Sequence, residues 1–261
     1  MAMTKTETKR ALVVGLGLTG ASCVRHLLAR GYAVTGVDTR TAPPGFEQLQ
    51  REFPQANLHA GGLDPALFRD PGLLVVSPGL SINDGPVAQA AKAGHRPIGD
   101  IELFAQQAKA PVVAITGANG KSTVTALVGA MAQAAGLRTA VGGNIGTPAL
   151  ALLGESEPEI YVLELSSFQL ETTWSLNARA STVLNITPDH MDRYTSLDDY
   201  AAAKARIFRG NGVMVLNADD PLVTRMSEIG RQQLCFGLGA PTATQAYGLV
   251  KRGNETWLCR G

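Results

Sequence analysis

Cysteine is scarce in this chain of 261 residues, and its scarcity excludes two classes of protein. The three cysteines, Cys23, Cys235 and Cys259, are odd in number and lack the spacing of metal ligands. A disulfide scaffold or a zinc site is therefore not expected, and reduced thiols are typical of a cytoplasmic protein. No stretch approaches roughly 18 uninterrupted apolar residues, so the sequence predicts no membrane span.

An excess of charge of one sign is also missing. Lys and Arg number 23 against 22 Asp and Glu, and the formal net charge is +1. Basic residues are scattered along the chain, so nothing indicates a nucleic-acid or membrane partner. Hydrophobic residues make up 45% and charged residues 17%, which is a globular composition. What is abundant is glycine, with 29 residues that sit mostly in short loops between apolar runs.

The first part of the chain repeats a strand–loop–helix pattern. The apolar run RALVVGLG ends in glycines, ASCVRHLLARG has apolar residues at helical spacing, and YAVTGVD ends at Asp38. A third apolar run is LLVVSPG, residues 73–79. These units predict a parallel sheet with crossover helices, and therefore an α/β fold.

A short segment with proline and glycine, HRPIGD, precedes the new helical pattern IELFAQQA. Such a segment is typical of a connection between domains. We therefore predict one domain over residues 1–99 and a second over residues 100–261.

The second part of the chain restarts the cycle with the strand PVVAIT and the helix STVTALVGAMAQAAG. The spacing makes this helix amphipathic. Its apolar face consists of Val124, Leu127, Val128, Met131 and Ala135.

Three further apolar runs, IYVLELSS, STVLNIT and GVMVLN, end in polar residues. Because ligands bind at the carboxyl ends of the strands in open α/β sheets, these polar residues are candidates for a functional site. The last stretch, YGLVKRGNETWLCRG, predicts a hairpin around Arg252-Gly253-Asn254.

The loop GLGLTG, residues 15–20, follows a strand and opens a helix, and Asp38 lies 18 residues after Gly20. This is the layout of a dinucleotide site, where glycines let backbone N–H groups approach a pyrophosphate at a helix N-terminus. The pattern alone leaves three interpretations open. The ligand is NAD, or it is another nucleotide with a pyrophosphate, or the glycines form a purely structural turn.

The loop TGANGKST, residues 116–123, is a short phosphate-binding loop, because two residues rather than the usual four separate Gly117 from the Gly-Lys pair. The physical requirements are still met. Lys121 offers a charge for the β- and γ-phosphates of ATP, and Ser122 offers a hydroxyl for Mg²⁺ at the start of a helix. The alternative is a chance Gly-Lys-Ser turn.

Three more residues are candidates on weaker grounds. Glu164 follows an apolar run and is placed to bind magnesium, although an exposed glutamate at a strand end is the ordinary alternative. His190 lies in the polar cluster Asp189–Asp192 and is either a ligand or a hydrogen-bonded structural residue. Lys204, taken alone, looks like a solvated helix lysine. His26 and His59 are expected at the surface, and His95 in a loop.

Together these motifs resemble the Mur ligase family, whose phosphate loop has the same short form. The resemblance extends over essentially the whole chain, and LELSSFQLE with DHMDRY is its most specific part. Its marks are GLGLTG (15–20), DTR (38–40), SPG (77–79), TGANGKST (116–123), GGNIG (142–146), LELSSFQLE (163–171), NITPDHMDRY (185–194) and NADDP (217–221).

The resemblance implies a Rossmann-like N-terminal domain for a UDP-sugar and a P-loop-type, parallel-sheet ATPase domain in the centre. It implies a cytoplasmic, monomeric, ATP-dependent carbon–nitrogen ligase of peptidoglycan precursor synthesis. The implied substrates are UDP-N-acetylmuramoyl-L-alanine, D-glutamate and ATP, and the implied cofactor is Mg²⁺, with two ions. The acid would be activated as an acyl phosphate before the amine of D-glutamate attacks it.

The resemblance also assigns roles to residues. The implied catalytic residues are Lys121, His190 and Lys204, the last at a position that is carbamylated in the family. The implied metal ligands are Ser122, Glu164, His190 and Lys204. The implied ATP-binding residues are Gly117, Ala118, Asn119, Gly120, Lys121, Ser122 and Thr123. The implied UDP-sugar-binding residues are Leu18, Thr19, Asp38, Thr39, Ser77, Asn144 and His190.

Family members carry a third domain that takes part in amino-acid recognition. We expect this chain to end within the central domain and to lack the third one. We therefore also expect it to bind the UDP-sugar while having negligible ligase activity alone.

Two rival interpretations remain. A NAD(P)-dependent oxidoreductase would account for GLGLTG and Asp38, but it leaves TGANGKST, Glu164 and DHMDRY unexplained. The other is a non-catalytic, UDP-sugar-binding fragment of the ligase, which would follow from the expected lack of the third domain.

Overall fold

The computed structural model describes residues 9–154 and 156–261. The chain forms two compact units, Met1–Phe104 and Ala105–Gly261, which we call unit 1 and unit 2. The first eight residues of the predicted first domain lie outside the described residues.

Unit 1 is a four-stranded parallel sheet in the order β3-β2-β1-β4. Its core includes Leu12, Val14, Val37 and Val76, all almost inaccessible to solvent. Residues 11–14 of β1 and all of β4 are apolar, as expected for strands of a parallel sheet whose two faces are buried. The strands are β1 (Arg10–Val14), β2 (Ala33–Asp38), β3 (Asn57–Ala60) and β4 (Leu73–Val76). The helices are α1 (Leu18–Leu28), α2 (Phe46–Glu52), α3 (Gly85–Lys92) and α4 (Asp100–Ala105), the last of which ends on the first residue of unit 2.

The loop between β1 and α1 requires its glycines. Gly15 has a φ of +91°, which side chains rarely adopt. A Cβ at Gly20 would lie 1.7 Å from the carbonyl oxygen of Gly15, so the helix could not start as close to the strand.

Unit 2 is an eight-stranded sheet in the order β12-β11-β10-β9-β8-β5-β7-β6. All its neighbouring strands are parallel except β11 and β12, which form the predicted hairpin, with Lys251 opposite Thr256. The strands are β5 (Val112–Thr116), β6 (Thr139–Gly143), β7 (Ile160–Glu164), β8 (Ala180–Val183), β9 (Val213–Asn217), β10 (Gln233–Phe236), β11 (Ala246–Arg252) and β12 (Glu255–Arg260). The predicted α/β fold class is confirmed.

The last three helices of unit 2 begin at polar caps. Ser166 and Gln169 form a reciprocal capping box at α6, and the carboxylate of Asp220 accepts from the N–H groups of Leu222 and Val223 at α8. These caps satisfy N–H groups that have no partner within the helix. The helices are α5 (Lys121–Ala134), α6 (Ser167–Glu171), α7 (Leu197–Ala205) and α8 (Pro221–Thr224).

The apolar face that we predicted for α5 is only partly covered, since Val124 and Val128 are half-buried and its other members are exposed. Leu127 is 57% exposed and Met131 63% exposed, whereas Thr125 and Gly129 are buried. A Cβ at Gly129 would lie only 2.6 Å from a methyl carbon of Val141 on β6. The helix therefore approaches the sheet through its smallest residues, and close packing overrides the apolar periodicity.

His26 also differs from expectation, because it is only 8% exposed rather than at the surface. It lies near the end of α1, where its Nδ1 is 3.3 Å from the guanidinium of Arg30. Burial, followed by the charge of Arg30, lowers the pKa of His26 to about 4.

Within the described residues, every helix is too short or too polar to cross a bilayer.

Candidate functional site

The site of unit 1 is organised by Asp38 at the carboxyl end of β2. Its carboxylate accepts from the N–H of Leu16 at 2.7 Å and from both Nε and Nη2 of Arg40, at 2.9 and 2.7 Å. The hydrogen bonds from Arg40, more than any other cause, lower the pKa of Asp38 to about 2. Asp38 is therefore a buried anion that binds the glycine loop through the N–H of Leu16. Arg40, which pairs with Asp38, is an exposed cation beside that loop.

The other predicted residues of unit 1 lie around the same loop. Leu18 is 82% exposed at the start of α1, and Thr39 is exposed directly after β2. Ser77 follows β4, and its Cβ would lie 2.8 Å from a Cβ placed on Gly15. Because β1 lies between β2 and β4, the strand order reverses here, which is where open α/β sheets bind ligands. The structure thus gathers these side chains, with half-buried Thr19, at one edge.

The phosphate loop of unit 2 connects β5 to α5. Gly120 caps the helix with a φ of +79°, a conformation that favours glycine. Lys121 folds back so that its ammonium donates to the carbonyl of Ala118 at 2.8 Å. The side chains of Ser122 and Thr123 are exposed on the first turn. The loop therefore has exposed hydroxyl side chains at its end and the ammonium of Lys121 beside them.

Glu164 ends β7, the strand next to β5, and is 2% exposed rather than at the surface. One carboxylate oxygen accepts from the hydroxyl of Ser122 and the other from the amide of Asn144, both at 2.7 Å. A hydroxyl and a carboxylate in contact fit Mg²⁺, which keeps several waters and takes further oxygens from phosphates.

No group of three or more His, Cys, Asp or Glu side chains placed to hold a metal ion occurs in the described part of the chain. His190 and Glu164 therefore do not belong to one such group. A cation held mainly by nucleotide phosphates does not need one.

Lys204 contradicts the expectation of a solvated helix lysine, because it is only 1% exposed. Its ammonium donates to the carbonyl of Gly117 at 2.9 Å and lies 4.5 Å from the ring centre of Tyr200. Burial first, and then the charge of Lys121, lower the pKa of Lys204 to about 7, against the opposite influence of Asp189 and Glu164. The buried amine thus touches the phosphate loop itself.

His190 adopts a left-handed backbone conformation with a φ of +55°. Its ring centre lies 4.7 Å from that of Phe168, and the carbonyl of His190 accepts from the N–H of Arg193 at 2.9 Å. The imidazole remains about half exposed. The turn and the aromatic contact hold the ring in place while leaving it accessible.

Two family models match this chain. The model of the Mur ligase middle domain matches residues 115–255, and that of the MurD-like N-terminal domain matches residues 9–99. The chain belongs to the Mur ligase family.

Curated relatives of this Mur ligase chain carry the name UDP-N-acetylmuramoylalanine–D-glutamate ligase. The relative from Nitrosococcus oceani is 53% identical over 251 residues, which are 96% of this chain and 55% of the relative. The relative from Methylobacillus flagellatus is 49% identical over 261 residues, 99% of this chain and 57% of the relative. The chain spans little more than half the length of the curated relatives it matches.

Solved structures of Mur ligases share the fold. One is a UDP-N-acetylmuramate:L-alanyl-γ-D-glutamyl-meso-diaminopimelate ligase from Neisseria meningitides, with a TM-score of 0.57 at 15% identity over 96% of this chain and 84% of that one. Another is a UDP-N-acetylmuramate–alanine ligase from Thermotoga maritima, with a TM-score of 0.53 at 21% identity over 92% of this chain and 54% of that one. At such identities the likeness concerns the fold alone.

Sequence reasoning missed some residues of this Mur ligase chain that shape the sites. Arg40 was part of the DTR motif but had no assigned role, although an arginine two residues after a strand-end aspartate is within reach of it. Phe168 and Asn185 were likewise inside quoted motifs. Their contacts join segments far apart in the sequence, which no local pattern signals.

Proposed function

We propose that the protein is an ATP-dependent ligase that joins D-glutamate to UDP-N-acetylmuramoyl-L-alanine in peptidoglycan precursor synthesis. The observation that carries this proposal is the contact of Ser122 with Glu164 beside the phosphate loop, with Lys121 and buried Lys204 against the same loop. It is supported by the name shared by relatives that are 53% and 49% identical.

In this proposal unit 1 binds the uridine diphosphate part of the acid substrate. The exposed side chains around the glycine loop face solvent, and the backbone N–H groups at the start of α1 suit a pyrophosphate. The proposed contacts are Leu18, Thr19, Asp38, Thr39 and Ser77. We add Arg40. Its guanidinium pairs with Asp38 through Nε and Nη2, and its remaining N–H groups can donate to an anion such as a phosphate.

Unit 2 binds ATP in the same proposal. The ammonium of Lys121 moves from the carbonyl of Ala118 to the β- and γ-phosphates. Ser122 and Glu164 would hold Mg²⁺, which neutralises phosphate charge and orients the transferred group when it is bound. The proposed phosphate-loop residues are Gly117, Ala118, Asn119, Gly120, Lys121, Ser122 and Thr123.

Asn144 and His190 are proposed to hold the muramoyl end of the acid. Lys204 is proposed to be carbamylated: its neutral amine nitrogen bonds to the carbon of CO₂ and loses a proton, so that a cation becomes an anionic oxygen ligand. A pKa of about 7 leaves much of the amine neutral at physiological pH, which this reaction requires. The modified group would then serve a second Mg²⁺ together with His190.

The proposed chemistry has two steps. A carboxylate oxygen of the acid attacks the γ-phosphorus, the bond to the β-phosphate breaks, and ADP leaves. The amine of D-glutamate then attacks the acyl carbon, a tetrahedral intermediate forms, and phosphate leaves as the amine proton is lost. Lys121 and the loop N–H groups offset the repulsion between carboxylate and phosphate, which is the electrostatic need of the first step.

The rival oxidoreductase is less consistent with the geometry. It would use only the glycine loop and Asp38 of unit 1. It leaves the phosphate loop of unit 2, and the contact of Ser122 with Glu164 beside that loop, without a role.

Titration calorimetry of the 261-residue protein tests the proposal. We expect binding of UDP-N-acetylmuramoyl-L-alanine and of the Mg²⁺ complex of a non-hydrolysable ATP analogue, and no binding of NADH. Lys121→Ala should abolish binding of the ATP analogue and leave that of the UDP-sugar unchanged. Binding of NADH, or equal loss of both ligands in the variant, would contradict the proposal.

A further inference from the structure

The shortened phosphate loop is supported from outside by Asn185. This residue lies two positions after β8, the strand on the other side of β5 from β7. Its side-chain oxygen accepts from the N–H of Asn119 at 2.8 Å, and its side-chain nitrogen donates to the carbonyl of Asn119 at 3.1 Å. The carboxamide thus pairs with both backbone groups of one loop residue, as a neighbouring strand would.

Two more contacts extend this pairing. The carbonyl of Asn185 accepts from the N–H of Ala118 at 2.9 Å, and the side chain of Asn119 donates to the hydroxyl of Thr187 at 3.1 Å. The loop also approaches closely here, since a Cβ on Gly117 would lie 3.0 Å from the Cβ of Leu184. Both residues that separate the two glycines of the loop are therefore tied to segment 184–187.

These contacts change which N–H groups are free for a ligand. Those of Ala118 and Asn119 point to Asn185, so they are not directed at a phosphate. The groups of Gly120, Lys121 and Ser122 lie at the start of α5, where N–H groups lack partners within the helix and favour anions. Ala118 and Asn119 are therefore held by Asn185, while Gly120, Lys121 and Ser122 have N–H groups available to a ligand.

We propose that Asn185 is a positioning residue for nucleotide binding, which holds Ala118 and Asn119 so that the N–H groups from Gly120 onward face the phosphates. The middle of this short loop is fixed by the segment that follows β8. The inference rests on the proposed function, because it takes the loop to be the ATP site.

The carboxamide of Asn185 supplies both the acceptor and the donor that Asn119 meets here. Aspartate keeps the acceptor for the N–H of Asn119 but has no donor for its carbonyl, and alanine has neither. Asn177 offers a matched control, because its side-chain oxygen accepts from the N–H of Asn211 at 3.0 Å on the opposite edge of the same sheet. Replacing Asn177 removes a similar bond without touching the loop.

The test compares Asn185→Ala, Asn185→Asp and Asn177→Ala by titration with the Mg²⁺ complex of a non-hydrolysable ATP analogue. We expect both Asn185 variants to bind it roughly tenfold more weakly, equivalent to about 1.4 kcal/mol. Asn177→Ala should bind like the wild type. Amide exchange of Asn119 should be slow in the wild type and in Asn177→Ala, and fast in Asn185→Ala.

Unchanged nucleotide affinity in a folded Asn185 variant would overturn the inference while leaving the proposed function intact. An equal loss in Asn177→Ala would overturn it as well, because the effect would then be general destabilisation. Failure of the wild type to bind the nucleotide would overturn both. If Asn185→Ala does not fold, Asn185→Asp decides between these outcomes.

Discussion

At the scale of single residues, the charge on Asp38 connects the glycine loop of unit 1 to Arg40. Asp38→Asn keeps the shape but removes the anion that four N–H groups approach, one from Leu16 and three from Arg40. We expect the affinity for UDP-N-acetylmuramoyl-L-alanine to fall by roughly tenfold or more, since charge-assisted hydrogen bonds are among the strong ones. Titration calorimetry measures this.

Glu52→Gln is the control for that variant. Glu52 pairs with Arg25 in the same two-point manner, but on the surface of unit 1. It should leave the affinity unchanged, because exposed ion pairs contribute little. Equal effects of the two substitutions would argue against a role of Asp38 in the site.

His26 makes the stability of unit 1 depend on pH. Its pKa is about 4 in the folded protein and near 6.5 when unfolded, so the unfolded state binds more protons as the pH falls. Stability should be constant above about pH 6.5 and should fall between there and about pH 4, by roughly 1–2 kcal/mol at pH 5. His26→Gln should lose this part of the dependence.

Amide exchange of β1 residues measures the effect of His26, because both tryptophans, Trp174 and Trp257, lie in unit 2 and do not report on unit 1. The protection of Val13 and Val14 should fall between pH 7 and pH 5 more steeply in the wild type than in His26→Gln. Parallel curves for the two proteins would contradict the lowered pKa.

Single residues also show what the sequence could and could not predict. Asp38, Lys121 and Glu164 follow apolar runs, and the rule for parallel sheets brings them to the carboxyl edges where they are found. The burial of Lys204 could not be predicted, because α7 looks polar and the two groups that accept hydrogen bonds from the ammonium lie 87 and 88 residues away in the sequence. Long-range contacts of that kind leave no local pattern.

At the scale of elements, α5 packs through Gly129 rather than through its apolar stripe. Gly129→Ala would be favourable in an isolated helix, but its Cβ would meet Val141 at 2.6 Å. We expect unit 2 to be destabilised by about 1–3 kcal/mol, as for other overpacked sites. Urea unfolding followed by tryptophan fluorescence measures it, because both tryptophans lie in this unit.

Leu127→Ala in the same helix is the control. Because Leu127 is 57% exposed, this substitution should lower the free energy of unfolding much less. A larger loss from Leu127→Ala than from Gly129→Ala would mean that the helix packs as the sequence first indicated. The existence of α5 followed from its period and its preceding glycine. The face of α5 that meets the sheet could not be predicted in this way, because the distance between a helix and a sheet depends on residues of both elements.

At the scale of the whole molecule, the proposal assigns different ligands to the two units. Each unit has a glycine loop between its first strand and the next helix, so the motifs alone made both of them nucleotide sites. The partners of the loops distinguish them. In unit 1 a carboxylate and a guanidinium meet the loop, whereas in unit 2 a lysine, a serine–glutamate contact and an asparagine pair do so.

The most direct test of two separate nucleotide sites is a sequential titration. The protein is first saturated with UDP-N-acetylmuramoyl-L-alanine and then titrated with the Mg²⁺ complex of a non-hydrolysable ATP analogue, and the order is then reversed. We predict that the second ligand binds at a stoichiometry near that seen without the first, in both orders. Displacement of one ligand by the other would place both in a single site and contradict the account.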